Sequence, residues 1–319
     1  MVSVNMLTYN HEKYIAQAIE GVMMQVTTFP FELIIGEDCS TDNTRKICKE
    51  YQVKYPDKIH LLLPEKNLGM QANSIVTLNA CTGKYIAICE GDDYWTDPLK
   101  LQKQVDFLET NKDFSICFHP VKISKDNELI DDYITSEVPE TTDIMDLTNC
   151  NYIHTPSVVF RKNNKVLDEF KTINAPIGDY VLHMLNAKYG KIKKHSDCMG
   201  VYRVHDGGIH SLKTQDQKND QWLTQLSLMI PCFKDTVKKR LIGNFINFSK
   251  IVLFDFQITN QRKFEILHQL YEFEPNIGFE LIQENKKLNL QIEEYKKKTK
   301  SIKFTANALI RNLIRKIIK

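Results

Sequence analysis

The sequence predicts an α/β domain built on a doubly wound, mostly parallel sheet, followed by a helical extension. Three observations predict it. Short apolar runs alternate with helix-spaced segments through about residue 110, the pattern of βαβ units. Each early run ends in a polar cluster: Thr8–Tyr9–Asn10, Glu37–Asp38, Asn67 to Gly69, and Asp92–Asp93. In open α/β sheets, ligands gather beyond the carboxyl ends of the strands.

In order, residues 2–7 (VSVNML) read as a strand. Residues 11–25 place Tyr14, Ile15, Ala18, Ile19, Val22 and Met23 on one helix face. Residues 31–36 (FELIIG) form a second strand. A helix over 41–55 is opened by Ser40 and Thr41, with Asp42 in its first turn. Residues 59–63 form a third strand, 69–81 a helix and 84–89 (KYIAIC) a fourth strand. Pro98 suits the first turn of a helix running to about Glu109. Beyond it, residues 114–123 and 157–161 read as strands, 125–150 as a polar excursion, 178–189 as a helix and 191–204 as extended chain. From about residue 215 the chain reads as helices.

The totals narrow the class. The 319 residues, 42% hydrophobic and 26% charged, suit one large globular domain with an extension or two modest domains. The net charge of +2 is unevenly spread: nine bases and no acid lie between residues 296 and 319. In residues 302–319 the apolar side chains step by three, four and one, the stripe of a basic amphipathic helix. Such a helix lies on an anionic lipid surface or packs on the body. Eight scattered cysteines in no zinc spacing suggest a reducing compartment. No leader pattern opens the chain and no apolar stretch reaches about 18 residues. The expectation is a cytoplasmic protein, peripheral at the inner face of the membrane, with no nucleic-acid partner.

The segment CEGDDYW (residues 89–95) carries three acids at the end of a buried strand, where they repel one another and are costly to desolvate. A divalent cation, Mg²⁺ or Mn²⁺, relieves that repulsion and takes carboxylates together with substrate phosphates. A solvated acidic turn is the plainer alternative.

Several motifs in fixed order resemble family 2 glycosyltransferases of the GT-A fold, the bacterial surface-polysaccharide type. They are VSVNMLTYNHEKYIAQAIEGVMMQ, IIGEDCSTDNT and NLGMQANSIVTLNACTGKYIAICEGDDYW, with GD at 178–179 and YRVH at 202–205. The resemblance is close over residues 1–110 and thins beyond. It implies a Rossmann-like mixed sheet and inverting transfer of a hexose-type sugar from a nucleotide-diphosphate donor, with UDP expected. Residues 1–110 would bind the nucleotide sugar, 111–214 the acceptor and catalytic groups, and 215–319 would form the helical extension.

The roles it implies are these. Thr8, Tyr9 and Asn10 line the nucleoside pocket. Asp38 reads the base, with Glu37 beside it. Asn67, Gly69 and Asn73 lie near base or ribose, although MQAN (residues 70–73) stands where many relatives carry an arginine. Asp92 touches the ribose or a metal-bound water, Asp93 binds the metal, and Glu90 is left open. Asp179 is the catalytic base or a helix cap. His205 completes the metal shell or is a plain loop residue, and Arg203 faces the diphosphate. The implied acceptor is a growing surface glycan, free or on a lipid diphosphate. A nucleotidyltransferase and a non-catalytic sugar-nucleotide binder are the alternatives; TYNHEKY lacks the glycines a phosphate loop needs.

Overall fold

The computed structural model describes residues 1–126, 128–208, 213–253, 258–275 and 290. The chain divides into two compact units, 1–213 and 214–319.

In the first unit the elements run β1 (Val2–Thr8), α1 (Ile15–Met23), β2 (Phe31–Glu37), α2 (Thr44–Lys54), β3 (Ile59–Leu62), α3 (Met70–Ala80), β4 (Tyr85–Ile88), β5 (Tyr94–Trp95) and α4 (Lys100–Thr110). There follow β6 (Phe114–Phe118), β7 (Lys122–Lys125), β8 (Glu128–Asp131), β9 (Thr141–Thr142) and α5 (Ile144–Leu147). The unit continues with β10 (Val159–Arg161), α6 (Asn164–Phe170), α7 (Gly178–Asn186), β11 (Lys191–Lys194) and β12 (Gly200–Val204).

Eight strands form one sheet in the order β3-β2-β1-β4-β10-β6-β11-β9. β1, β2, β3 and β4 are parallel, whereas β10 and β9 run against their neighbours. β1 and β2 are buried almost end to end, as expected of central strands covered by helices on both faces. Val2, Val4, Met6, Leu33, Ile35 and Ala87 pack there with Ile15, Ile19 and Val22 of α1. Each large aliphatic side chain so buried contributes about 1.5–3 kcal/mol.

The structure departs from the sequence reading in three places. Residues 11–14 and 41–43 are not helical. They lace together instead: the amides of His11 and Glu12 donate to Thr44 Oγ1 (2.8 Å) and Asp42 Oδ2 (3.0 Å). This cross-linking delays both helices, and Asp42 precedes α2, its Oδ1 accepting the Thr44 amide (2.9 Å). Residues 114–123 are not one strand. Pro120, which has no amide to donate, divides β6 from β7. β7 joins a second sheet of order β5-β12-β7-β8, which the sequence reading does not contain, and the polar excursion supplies its β8. Residues 191–204 likewise divide between the two sheets.

The second unit holds α8 (Gln215–Met229), α9 (Asp235–Leu253) and α10 (Asn260–Phe273). Thr214 and Gln217 form a capping box that fixes the start of α8. Arg262 ties α10 to Asp220 of α8 at 2.7 Å. The basic amphipathic segment 302–319 and the charged segment 280–300, Leu290 apart, lie outside the described residues. Among the described residues no helix is long and apolar enough to cross a membrane.

Candidate active site

Because β1, β2 and β4 are parallel and in register (Thr8 opposite Glu37, Asn5 opposite Ile88), their polar ends meet at one edge. The Asp38 amide donates to the Thr8 carbonyl (3.0 Å), and Asn10 exchanges bonds with Ser40 and Thr41. Asn10 adopts the left-handed conformation (φ 56°), which asparagine tolerates better than most residues. Tyr9 is exposed, and Thr8 Oγ1 is buried without a partner.

Asp38 accepts the amides of Leu68 (2.7 Å) and Gly69 (2.9 Å), while Asn67 Nδ2 donates to the Asp38 carbonyl (2.8 Å). Gly69 has φ 84°, which a side chain rarely adopts. A carboxylate accepts about four hydrogen bonds, so Asp38 keeps capacity for a ligand. Two neighbours depart from expectation. Glu37 is fully buried, accepting the Ser40 amide (2.7 Å) and pairing with Arg45, so its carboxylate is spent on the loop. Asn73 is buried behind the sheet and donates to the Gly36 carbonyl (2.8 Å), holding α3 against β2 rather than facing base or ribose.

The acid turn leaves β4 with the Gly91 amide donating to the Leu7 carbonyl (2.8 Å). A Cβ on Gly91 would stand 2.5 Å from Thr8 Oγ1 and 3.1 Å from His11 Nδ1, so only glycine lets the turn lie this close to β1. The two aspartates then separate. Asp93 is 1% exposed; its Oδ1 accepts the Arg203 amide (2.8 Å) and its Oδ2 has no partner. Burial, then the charges of Asp92 and Glu90, hold its carboxyl well above the usual range. Asp92 points to the imidazoles: Oδ2 lies 3.0 Å from His205 Nε2 and 3.8 Å from His11 Nε2. Burial raises its carboxyl, but the His205 hydrogen bond and the His11 and His205 charges outweigh this and lower it overall. Glu90 is pushed up to about 8 by burial, then by the charges of Asp92 and Asp179.

Among the described residues, two sets of side chains place one ligand atom each within 4.8 Å of one another: His11, Asp92 and His205, and Glu90, Asp92 and Asp93. Asp92 belongs to both. The expectation gives the metal to Asp93 and the ribose or a metal-bound water to Asp92; Asp93, its Oδ2 unpaired, lies in the acid set alone, whereas Asp92 is also the acid that reaches imidazole.

The small sheet brings the far residues in. β12 pairs with β5, Val201 opposite Tyr94 and Gly200 opposite Trp95, which carries Arg203 and His205 onto the acid turn. The Arg203 guanidinium donates to the Asp92 carbonyl (2.5 Å) and to Gln17, and lies 4.3 Å from the Tyr94 ring centre. It clamps the turn. Trp95 Nε1 donates to the Pro156 carbonyl (2.7 Å), and the buried Lys100 ammonium group sits 4.1 Å from the indole.

Asp179 lies in the first turn of α7. The cap position belongs to Ile177, which makes no side-chain cap bond, so Asp179 is not the cap. Its Oδ2 accepts Thr155 Oγ1 (3.0 Å) and Asn151 Nδ2 (3.4 Å), and Oδ1 accepts the Tyr180 amide (2.7 Å). Its charge reaches Glu90. His11, Asn151 and Thr155 were not singled out from the sequence, where each is an isolated polar residue.

Comparisons with known proteins follow the same lines. The family model described as Glycosyl transferase family 2 matches residues 3–170. An uncharacterized protein of Mycobacterium tuberculosis is 40% identical over 223 residues, 68% of this chain and 63% of that protein. The chain thus spans under two thirds of that relative. The putative teichuronic acid biosynthesis glycosyltransferase TuaG of Bacillus subtilis is 28% identical over 76% of this chain and 98% of its own. A crystal structure of S. aureus TarS 1–349 in complex with UDP-GlcNAc shares the fold, with TM-score 0.65 at 19% identity over 85% of this chain and 80% of that one.

Proposed function

The chain belongs to glycosyl transferase family 2, and on that premise we propose that it moves a sugar from a nucleotide-diphosphate donor, UDP being the nucleotide, to a hydroxyl of a surface glycan on a lipid diphosphate. The fold is the mixed α/β arrangement of GT-A enzymes. One observation carries the reading: Asp92, His205 and Asp179 come from distant parts of the chain to the carboxyl edge of β1 and β4. The name of TuaG supports a surface glycan as acceptor.

Asp179 is the general base. Thr155 and Asn151 hold Oδ2, and the Tyr180 amide holds Oδ1. The carboxylate takes the proton of the acceptor hydroxyl as that oxygen attacks the anomeric carbon opposite the departing diphosphate, which inverts the centre. Thr8, Tyr9, Asn10, Asp38, Asn67 and Gly69 form the base and ribose side.

The residues present fit a divalent cation, Mg²⁺ or Mn²⁺. Asp92 Oδ2 and His205 Nε2 lie 3.0 Å apart, an oxygen and a nitrogen donor suited to such an ion. We assign the metal to Asp92 with His205, and give Asp93 the task of holding Arg203. When bound, the cation neutralises charge on the leaving diphosphate.

Residues 1–110 form the donor half, 111–214 the acceptor half and 215–319 a helical extension. The basic segment at 302–319 would bring this cytoplasmic enzyme to an anionic membrane, where a lipid-linked acceptor resides.

A screen of sugar nucleotides with lipid-diphosphate acceptors, following release of nucleoside diphosphate, tests the proposal. At least one donor is expected to turn over. Asp179→Asn should lower that turnover by about 10²–10⁴-fold while leaving nucleotide affinity unchanged. Turnover insensitive to Asp179→Asn would remove it from its role, and a chain that binds no nucleotide diphosphate would sink the whole reading.

A further inference from the structure

We infer that His11 is a third protein ligand of the divalent cation, completing a face of two imidazoles and one carboxylate with His205 and Asp92. This rests on the metal-dependent reading above. Octahedral bonds of about 2.1–2.3 Å put neighbouring ligand atoms about 3 Å apart. The Asp92 Oδ2 to His205 Nε2 separation is 3.0 Å and that to His11 Nε2 is 3.8 Å, so a small inward movement of His11 completes the face.

The ring of His11 is held but unspent. Its backbone is fixed by Thr44 on one side and by the Tyr14 and Ile15 amides on the other. The ring packs edge-on against His205, with centres 5.9 Å apart. Nδ1 is buried without a hydrogen bond, and Nε2 is too far from Asp92 to make one.

Two consequences follow. Nitrogen donors suit Mn²⁺ and later transition ions better than Mg²⁺, so this face should favour Mn²⁺ over the all-oxygen set of Glu90, Asp92 and Asp93. The Gly207 amide donates to His205 Nδ1 (3.2 Å), which leaves the proton on Nε2, toward Asp92. A cation at Nε2 needs that proton on Nδ1, so binding releases the Gly207 amide and alters the turn after β12.

The test is Mn²⁺ binding read by electron spin-echo spectroscopy, with UDP present, on the full chain. The wild type should show two coordinated imidazole nitrogens. His11→Ala and His205→Ala should each show one, and His11→Ala should bind Mn²⁺ about 10-fold or more weakly with its preference over Mg²⁺ reduced. His11→Gln, of similar bulk, serves if the alanine variant fails to fold. A wild type with one imidazole nitrogen, or a His11 variant with unchanged affinity, overturns the inference and leaves the glycosyltransferase reading intact. No Mn²⁺ binding at all, with UDP present, overturns both.

Discussion

The two rims of the cleft are held in different ways. The rim formed by residues 8–69 is tied to itself: Asp38 accepts amides 30 and 31 residues away, and Glu37 accepts one only three residues away. The rim formed by residues 151–205 is tied to the acid turn. The Arg203 amide reaches Asp93 across 110 residues, His205 reaches Asp92 across 113, and Trp95 reaches Pro156 across 61. The first rim keeps its shape whatever charge the acids carry. The second is docked on those acids, so what they bind bears on where it sits.

The largest expected effect comes from beneath both rims. Lys100 is fully buried under Trp95, where its Nζ donates to Gln104 Oε1 at 2.8 Å, and burial lowers its pKa from 10.5 to about 7. Between about pH 7 and 10.5 the unfolded chain holds a proton there that the folded chain lacks. Stability from this group therefore rises with pH across that window, and the burial penalty is complete below it. Lys100→Met should raise stability by on the order of 3 kcal/mol at pH 6, with the advantage shrinking by pH 9.5. Urea unfolding at the two pH values measures it, and a pH-independent difference would refute the cause.

Gly91→Ala strikes where the acid turn meets the first rim, at Thr8 and His11. Overpacking of this kind costs about 1–3 kcal/mol, and the displaced Asp92 should weaken Mn²⁺-linked nucleotide binding. Thermal unfolding and calorimetry read the two effects, and a variant normal in both would mean that the close approach is not needed. Trp95→Phe removes the bond to Pro156 on the second rim, at a cost of about 1 kcal/mol. Hydrogen exchange should quicken in residues 200–205 and stay unchanged in residues 67–69. Equal quickening in both would erase the contrast between the rims.

That contrast also explains what could be read from the sequence. β1, β2, β3 and β4 were legible because a covered parallel strand is a short apolar run, and their polar ends were legible because they follow those runs directly. That Asp92 is the acid that meets imidazole was not. Adjacent acids in a turn face different ways, and which faces the cleft depends on the pairing of two-residue β5 with β12. Asp179 was singled out through the family resemblance, since a helix start alone points to a cap, and its partners Thr155 and Asn151 lie in stretches with no periodicity. His11 acquires a role only through its nearness to Asp92 and His205.

The most direct test of a metal-dependent nucleotide site centred on Asp92 is calorimetric titration of UDP with and without Mn²⁺ on the wild type, Asp92→Asn and Asp93→Asn. Mn²⁺ should raise UDP affinity of the wild type by about 10-fold or more, equivalent to about 1.4 kcal/mol. Asp92→Asn should lose that gain. Asp93→Asn should keep most of it, because the amide oxygen still accepts the Arg203 amide. Loss of the gain in Asp93→Asn with its retention in Asp92→Asn, or no effect of Mn²⁺ on the wild type, would contradict the account.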